Sequence, residues 1–480
     1  MLNIKSPSAQ RVFYYFEQLS AIPHGSGNMN AIAQFCVNFA KEKNLKCIRD
    51  EANNVVIYKN GTVGCETNEP IILQGHLDMV CQKTDDRDID FEKDGLDLYI
   101  DGDFIKARGT TLGADNGIAV AIVLAILESN DIAHPPIEAV FTTDEEVGMI
   151  GARAMDMSVL GGRRMINLDS ETDGLVTVSC AGGSDFVANI PLITTKKRGY
   201  KATLTISGLQ GGHSGVEINK GRVNADILAG RILNHLNNKI DFDIISVNGG
   251  NKANAIPNRF FAELCVYDDV VFCELAKEYA SIIKLELCDR EKDIAIEITT
   301  DVEGEYSVLD LDIKNKVIYT LLCVPNGVCE MSANIENLVQ TSLNLGILQT
   351  TDNNVSFHFA LRSNKQSALV FLEDKLATFF KTMNAHFETY GHYPPWEYRD
   401  TSVLRDLYCD TYYEMFTKHA RVKAIHPGLE CGVFAGQIDN LDCISIGPQM
   451  HDVHTTRERL SISSTEKFYD ILVKILGKLK

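Results

Sequence analysis

Short apolar runs alternate with helical patterns through the first third of the chain. Residues 55–58, 71–73, 137–141 and 165–168 are each continuous and apolar, whereas the run at 118–127 is longer and apolar on all sides. The short runs predict buried strands and the long run predicts a buried helix. Strands of this kind with helices between them favour a largely parallel sheet covered on both faces. We therefore expect an α/β domain with a mixed, largely parallel sheet flanked by helices.

The pattern changes near Cys180. Segments such as YKATLTISG and SFHFALRSN alternate apolar and polar residues with a period of two, which is typical of half-exposed strands. A helical stretch, NADILAGRILNHL, lies between them, and Pro394 and Pro395 mark the return to the first domain. We expect an inserted α+β domain over residues 185–389, with the α/β domain formed by 1–184 and 390–480.

Two local capping patterns predict where helices begin. Asp115 and Asn116 stand before the long apolar run and are both suitable N-caps for it. Ser463 and Glu466 stand at capping-box spacing before apolar residues at helical intervals. The second pattern predicts a closing helix that covers the sheet of the first domain.

Length and charge exclude several classes of protein. A chain of 480 residues is too long for one hydrophobic core, which agrees with two domains. Its formal charge of -19, from 46 basic and 65 acidic residues, disfavours nucleic acid and anionic lipid as partners. The amino-terminal segment lacks the apolar core of a signal peptide, and no window reaches the roughly 20 apolar residues of a membrane span. We expect a cytoplasmic protein.

The cysteines do not indicate a metal ribbon or a disulfide framework. The thirteen cysteines are scattered and none is spaced as CxxC. Cys431, in GLECG, is interpreted as a small packing residue, because no Cys-His pairing that would activate it as a nucleophile is visible.

Four polar clusters follow apolar strands or open helices: QGHLDMV, TTLGADNG, TTDEEVG and NLDSE. Ligands of open α/β sheets bind beyond the carboxyl ends of the strands, so these clusters can converge. On an extended backbone His76 and Asp78 point to one side, where Asp78 would orient a metal-bound imidazole. Asp115 lies between Gly113 and Gly117, beside the free donors of a helix amino terminus. This position suits a carboxylate that bridges two ions.

Glu145 and Glu146 are adjacent carboxylates, which are costly to place in one cleft unless a cation or a proton compensates them. Metal is the simpler compensation. If Glu146, Asp169 and Asp115 bind two divalent ions, one positive charge is left to stabilise a bridging hydroxide. Zinc lowers the pKa of bound water to about 7, so these residues point to a two-metal hydrolytic centre.

The ordered set GHLD, GADNG, DEEVG, NLDSE and the late GPQMHDVHTTRE resembles the dinuclear zinc peptidases of the M20 family. Within that family, NAIP, GLECG and the overall length are similar to the aminoacyl-histidine, or cytosol nonspecific, dipeptidases. The likeness runs from near the amino terminus to the last helix. It implies hydrolysis of dipeptides with broad specificity, by a bridging water that two zinc ions activate. Manganese or cobalt would also suit these ligands.

The resemblance implies a role for each matching residue of the first domain. It makes Asp115 the bridge between the ions and Glu145 the general base. The other ligands are His76 with Asp169 for one ion and Glu146 with His454 for the second. This chain has HTTRE where the family commonly shows HSPDE, and His451 is an alternative ligand. The spacing to Glu458 favours His454.

The resemblance also assigns the middle domain, which would be a lid and homodimerisation module. It implies that His213, in GGHSG, stabilises the tetrahedral oxyanion from the partner subunit. Asn254 and Arg362 would bind the carboxylate of the small peptide substrate, a group that a guanidinium recognises bidentately. Glu430, in GLECG, is a further substrate-binding candidate.

Two alternatives stay open. The metal clusters alone do not select the side chains that flank the cleaved bond, so a related tripeptidase or N-acyl-amino-acid deacylase fits the same residues. A binding protein that keeps the fold without catalysis is a different class. The presence of Glu145 and of all five proposed ligands speaks against that class.

Overall fold

The computed structural model describes Ile4, Ser6 and residues 8–479, which form two compact units. The first, here called the sheet unit, contains the described residues up to Cys180 together with Trp396–Ile425 and the described residues from Leu429 onward. The second, here called the inserted unit, contains Ala181–Pro395 and His426–Gly428.

The elements follow one another along the chain in three segments. The first segment of the sheet unit forms α1 (Gln10–Ser20), α2 (Asn30–Glu42), β1 (Lys46–Arg49), β2 (Val55–Lys59), β3 (Ile71–His76), β4 (Leu98–Asp101), β5 (Phe104–Ala107), α3 (Ala114–Glu128), β6 (Ile137–Thr142), α4 (Ile150–Ala154), β7 (Arg164–Asn167) and β8 (Leu175–Thr177). The inserted unit forms β9 (Gly182–Pro191), β10 (Thr194–Ser207), β11 (Gly212–His213), α5 (Ala225–Asn237), β12 (Phe242–Gly249), β13 (Ala255–Ile256), β14 (Phe260–Val266), α6 (Asp269–Leu287), β15 (Ala295–Leu309), α7 (Leu311–Cys323), β16 (Gly327–Met331), β17 (Val339–Thr350), β18 (Asn354–Ser363), α8 (Gln366–Lys381) and β19 (His386–Tyr393). The last segment returns to the sheet unit with α9 (Val403–Phe416), β20 (Arg421–Lys423), α10 (Glu430–Gln437), β21 (Asp442–Ser445), β22 (Met450–His451), β23 (Arg459–Ser461) and α11 (Ile462–Lys478).

The main sheet of the sheet unit has the strand order β1-β2-β6-β3-β7-β21-β8-β20. Its centre, β6-β3-β7-β21, is parallel, whereas β1, β2 and β6 pair antiparallel at one edge. The predicted mixed, largely parallel sheet is therefore confirmed. Because β3, β6 and β7 run in parallel, the residues that follow them leave the sheet at the same edge, with His76 level with Thr142.

The apolar run at 118–127 is buried along its whole length within α3, as its pattern predicts. The start of this helix differs from the prediction, since the N-cap is Gly113, at φ +65°, and no side chain caps it locally. Asp115 and Asn116 have non-helical dihedral angles and a cis peptide bond between them. Both side chains take part in the site described below instead of capping the helix.

The closing helix α11 exists, but its predicted cap is wrong. The N-cap is Ser461, whose Oγ accepts a hydrogen bond from the Ser464 backbone at 3.2 Å. Ser463 instead donates its hydroxyl to Asp103 at 2.8 Å, so a residue distant in sequence decides which serine caps the helix.

The inserted unit contains an antiparallel sheet of order β15-β10-β14-β12-β17-β18-β9-β19, with β16 added beside β17. The two alternating segments of the sequence lie in β10 and β18, and the predicted helical stretch forms α5. One hydrophobic core joins this sheet to α5, α6, α7 and α8. The α+β prediction for this region is confirmed. Across the part of the chain that the structure describes, no helix has the length and apolar character needed to cross a membrane.

Candidate active site

The carboxyl edge of the main sheet positions most of the polar residues that the sequence singled out. His76 is the last residue of β3, Glu145 and Glu146 follow β6, and Asp169 follows β7. Asp115 lies in the turn that opens α3, between the buried residues Ala114 and Asn116. Strand ends and a helix start therefore bring together residues from separate parts of the sequence.

The five proposed metal ligands form two groups that share one carboxylate. His76 Nε2 lies 3.2 Å from Oδ1 of Asp115 and 3.6 Å from Oδ1 of Asp169. His454 Nε2 lies 3.1 Å from the other oxygen of Asp115, Oδ2, and 2.8 Å from Oε1 of Glu146. Each oxygen of Asp115 thus faces a different imidazole-carboxylate pair, which is the arrangement that a bridging ligand requires.

The donor set fits divalent metal ions. The ligand atoms of His76, Asp115 and Glu146 all lie within 4.8 Å of one another. His76 Nδ1 lies 3.0 Å from the backbone oxygen of Asp78, so a proton on Nδ1 leaves the Nε2 lone pair facing carboxylate oxygens. An imidazole lone pair and a carboxylate held this close need a proton or a metal ion between them. Mixed imidazole and carboxylate ligands suit zinc, manganese or cobalt.

The electrostatics of these side chains support the same conclusion. Burial opposes charge on His76, but Asp115 and Asp169 outweigh it and raise the pKa of His76 well above its usual value. Hydrogen bonds to Asp115 and Glu146 raise the pKa of His454 to about 11, and burial raises the pKa of Asp169 to about 8. Without a metal, the site balances its negative charge by binding protons. Divalent ions would displace those protons.

Asp78 connects the two strand ends that carry His76 and the glutamate pair. Its carboxylate accepts hydrogen bonds from the backbone of Glu145 at 2.9 Å, from the backbone of Glu146 at 3.2 Å and from the Ser26 hydroxyl at 2.8 Å. It lies 3.4 Å from His76 Nδ1, farther than its own backbone oxygen. Burial opposes ionisation, but His76 and these donors hold the pKa of Asp78 at about 2.

Glu145, the proposed general base, has a half-buried side chain in the loop after β6. Burial raises its pKa well above the usual value, and the negative charges of Asp169 and Glu430 add to the effect. A carboxyl group with a raised pKa holds a proton more readily than an ordinary glutamate, which is a property that a general base needs.

Glu430 begins α10 and its side chain is fully buried. Its Oε2 accepts hydrogen bonds from Gln74 Nε2 at 2.6 Å and from Thr142 Oγ1 at 2.7 Å. Burial raises the pKa of Glu430 to about 7. In this conformation the carboxylate contacts residues of β3 and β6, and a substrate contact stays a prediction.

The inserted unit places His213, the proposed oxyanion residue, near Asn254 and Arg362, which are proposed to bind the substrate carboxylate. His213, in β11, pairs with Ala255 in β13, and the Ser214 backbone donates to the backbone oxygen of Asn254 at 2.8 Å. A side chain added at Gly215 would lie 2.9 Å from His213 Cε1 and 3.2 Å from Arg362 Cζ, so Gly215 lies between both groups. Burial and Arg362 lower the pKa of His213, which favours its neutral form.

Two neighbours of Arg362 were missed in the sequence. Arg362 donates a hydrogen bond to the Tyr393 hydroxyl at 2.7 Å. His426 shares a 2.7 Å hydrogen bond with Ser342, and burial, with Arg362, lowers its pKa to about 3. Tyr393 precedes the two prolines of HYPPWEY, a position that offered a local signal, whereas nothing in the pattern around His426 indicated it.

Two further residues missed in the sequence support the metal ligands. The Asn116 side chain accepts from the His76 backbone at 3.1 Å and donates to the Leu168 backbone oxygen at 2.9 Å. It therefore joins the ends of β3 and β7, and its place after Asp115 in GADNG was the available signal. Ser26, which donates to Asp78, had only a glycine-rich neighbourhood as its signal.

His451 and Cys431 are two further candidates of the sheet unit. His451, in β22, makes an edge contact with the Phe104 ring at 5.8 Å between centroids, whereas His454 faces Asp115. Cys431 is fully buried beside Cys443, and burial raises the pKa of its thiol well above the usual value. Both properties agree with the packing role expected for Cys431.

The carboxyl edge of this mixed sheet holds one carboxylate between two imidazole-carboxylate pairs. This arrangement is typical of metal-dependent hydrolases. Residues 72–478 match the model of Peptidase family M20/M25/M40. The chain belongs to this family, and the resemblance drawn from its motifs is confirmed.

Relatives with similar sequence or structure cover almost the whole chain. The cytosol non-specific dipeptidase of Escherichia coli (strain K12) is 38% identical over 483 residues, which cover 100% of this chain and 99% of the relative. The crystal structure of the aminoacylhistidine dipeptidase from Vibrio alginolyticus has a TM-score of 0.90 and 35% identity, over 99% of this chain and 98% of that chain. The aminopeptidase PepT from Bacillus cereus, at a TM-score of 0.57 and 15% identity, shares the fold alone.

Proposed function

We propose that this chain is a dipeptidase that hydrolyses the peptide bond of dipeptides with the help of two divalent metal ions. The observation that carries the proposal is Asp115, whose two oxygens face two imidazole-carboxylate pairs in a member of Peptidase family M20/M25/M40. The similar proteins from Escherichia coli and Vibrio alginolyticus are both named as dipeptidases. Dipeptide hydrolysis is the activity common to both.

The ligands proposed for the two ions are His76 with Asp169 and Glu146 with His454, with Asp115 between them. We propose zinc as the metal, and the same donors suit manganese or cobalt. When bound, such ions polarise a carbonyl group and lower the pKa of a bound water to about 7. The half-buried carboxylates of Asp115, Glu146 and Asp169 would hold the ions, and His76 is oriented through its Nδ1 contact with Asp78.

Glu145 moves the proton in this proposal. It takes the proton from the attacking water and returns it to the amine of the leaving amino acid. Its raised pKa favours the first step, since a carboxylate that binds a proton more readily is a stronger base. Asp78 holds the loop in register through the backbone nitrogen atoms of Glu145 and Glu146.

The inserted domain, residues 185–389, is proposed to act as a lid and as the surface through which two subunits form a homodimer. His213, contributed by the partner subunit, stabilises the oxyanion. Its neutral ring can donate a hydrogen bond to that oxyanion. Asn254 and Arg362 bind the carboxylate of the dipeptide, and Glu430 is kept as a substrate-binding candidate. A cytoplasmic location agrees with the name of the Escherichia coli relative.

A substrate panel tests the proposed reaction. Purified protein is assayed with dipeptides, with carnosine-like dipeptides, with tripeptides and with N-acyl amino acids, before and after a chelator, and its metal content is measured. We expect dipeptide cleavage that the chelator abolishes and added zinc restores, with about two ions per chain. If tripeptides or N-acyl amino acids are cleaved faster than dipeptides, the protein is a related tripeptidase or deacylase instead of a dipeptidase. Purified protein that contains no metal and cleaves none of these substrates, even with added zinc, would reject the proposed enzyme.

A further inference from the structure

The turn that carries Asp115 is bound by a buried carboxylate from the far end of the chain. Glu458 Oε2 accepts hydrogen bonds from the backbone of Leu112 at 2.7 Å and of Gly113 at 3.2 Å. Its Oε1 accepts from the backbone of Ala114 at 2.9 Å and of Asp115 at 3.3 Å. One side chain, 3% exposed, therefore receives four consecutive backbone donors.

The first backbone N–H groups of a helix lack intrahelical partners, and the N-cap of α3, Gly113, provides no side chain to satisfy them. At φ +65° Gly113 also requires a backbone conformation that glycine adopts without steric cost. Glu458 supplies the missing acceptors from a position 343 residues away from Asp115.

The turn must be placed accurately because the two carboxylate oxygens of Asp115 contact different residues. Its Oδ1 faces His76 at 3.2 Å and its Oδ2 faces His454 at 3.1 Å, so a rotation that improves one contact worsens the other. The backbone nitrogen of Asp115 donates a hydrogen bond to Glu458, which fixes the backbone from which the carboxylate extends. We infer that Glu458 is a positioning residue of the metal centre, which fixes the Asp115 turn so that both carboxylate oxygens meet their ligand pairs.

This inference rests on the proposed metal centre, but it is distinct from a general requirement for folding. The chain offers a matched control in Glu138, a buried carboxylate of the same unit. Glu138 accepts from the Gly161 backbone at 2.9 and 3.1 Å and from the Gly162 backbone at 3.0 Å. It lies near the start of β6, whereas Glu145 and Glu146 follow the end of that strand.

The test compares the variants Glu458→Gln and Glu138→Gln with the unchanged chain. A glutamine at 458 keeps the size of the side chain but turns an NH₂ group toward two backbone donors. Each protein is freed of metal, its fold is checked by circular dichroism, and zinc affinity is measured by competition with a chromogenic chelator. We expect Glu458→Gln to weaken zinc binding about 10- to 100-fold, the usual effect of losing a group that orients a ligand. Glu138→Gln should stay within about threefold of the unchanged chain.

Thermal unfolding of the metal-free proteins separates positioning from capping. Both glutamine variants should unfold at lower temperature, because each loses acceptors for buried donors. Equal loss of stability with unchanged zinc affinity in Glu458→Gln would overturn the inference and leave Glu458 as a helix cap. If Glu458→Gln does not fold, Glu458→Asp, which keeps the charge but shortens the reach, should still bind zinc more weakly. Unchanged zinc affinity in Glu458→Asp would then overturn the inference. Failure of the unchanged chain to bind zinc would instead reject the proposed metal centre.

Discussion

The carboxyl group of Asp226 is buried without a hydrogen-bond partner among the described residues, which leads to a prediction about the stability of the inserted unit. It is the second residue of α5, it is fully buried, and neither carboxylate oxygen has a hydrogen-bond partner among the described residues. Gly249 packs so closely that a side chain added there would lie 1.7 Å from Asp226 Oδ1. Burial raises the pKa of Asp226 well above its usual value, and no neighbouring charge opposes this shift.

A raised pKa determines how stability depends on pH. Below the unfolded pKa of about 3.9 the group is protonated in both states and costs nothing extra. As the pH rises above that value, only the unfolded chain releases the proton, so the free energy of unfolding falls until the pH passes the folded pKa. Each pH unit in this window lowers the free energy of unfolding by about 1.36 kcal/mol. The total loss at pH 7 is therefore at most about 4 kcal/mol.

The substitution Asp226→Asn removes this cost and keeps the shape of the side chain. We expect it to stabilise the protein at pH 7, by at most about 4 kcal/mol, and by much less at pH 4.5, since the unpaired amide and the protonated carboxyl group have similar burial costs. Urea unfolding followed by circular dichroism at several pH values measures this difference. The control is Asp312→Asn, because Asp312 is also the second residue of its helix but is exposed and paired with Lys316.

The control should change stability by no more than about 0.5 kcal/mol at every pH, as is usual for an exposed helical ion pair. A stabilisation by Asp226→Asn that does not increase with pH would refute the reasoning, as would a loss of stability at pH 7. Either result would mean that Asp226 is ionised and compensated in the folded state.

Three further predictions concern the proposed reaction. Glu145→Gln should lower turnover by about 10²- to 10⁴-fold while the metal content stays unchanged, because only the proton transfer is lost; turnover within about threefold of the unchanged enzyme would remove Glu145 from this role. His454→Ala should weaken the binding of one ion per chain, whereas His451→Ala should bind both ions, and metal analysis after dialysis distinguishes them; the reverse result would assign the ligand to His451. Arg362→Lys should raise KM for dipeptides at least about tenfold, because the bidentate contact is lost, with less effect on a dipeptide amide that lacks the carboxylate. Equal effects on both substrates would contradict carboxylate binding by Arg362.

Local sequence patterns were sufficient to predict the strands and helices whose type depends on the residues within them. The continuous apolar runs became β2, β3, β6 and β7, because such runs suit strands that are buried on both faces. The period of two in the middle region became β10 and β18, and the long run became the buried helix α3. The kinds of side chain at the strand ends also indicated the chemistry, since His76 and Asp169 each stand at or just after such an end.

The helix starts could not be chosen from local patterns. Asp115, Asn116 and Ser463 are all capable of capping a helix, and in the folded protein each has a different partner. Asn116 joins His76 to Leu168, and Ser463 binds Asp103. Where several neighbouring residues are equally able to cap a helix, partners that are distant in sequence decide which one becomes the N-cap.

The sequence by itself determined the class of fold, the family and the identity of the residues available for chemistry, because periodicity and motif spacing are properties of neighbouring positions. Only the tertiary structure decided that both oxygens of Asp115 face different ligand pairs and that Glu458 holds its turn. Such contacts join residues hundreds of positions apart, and their geometry depends on how the strands and helices pack. No local pattern carries that information.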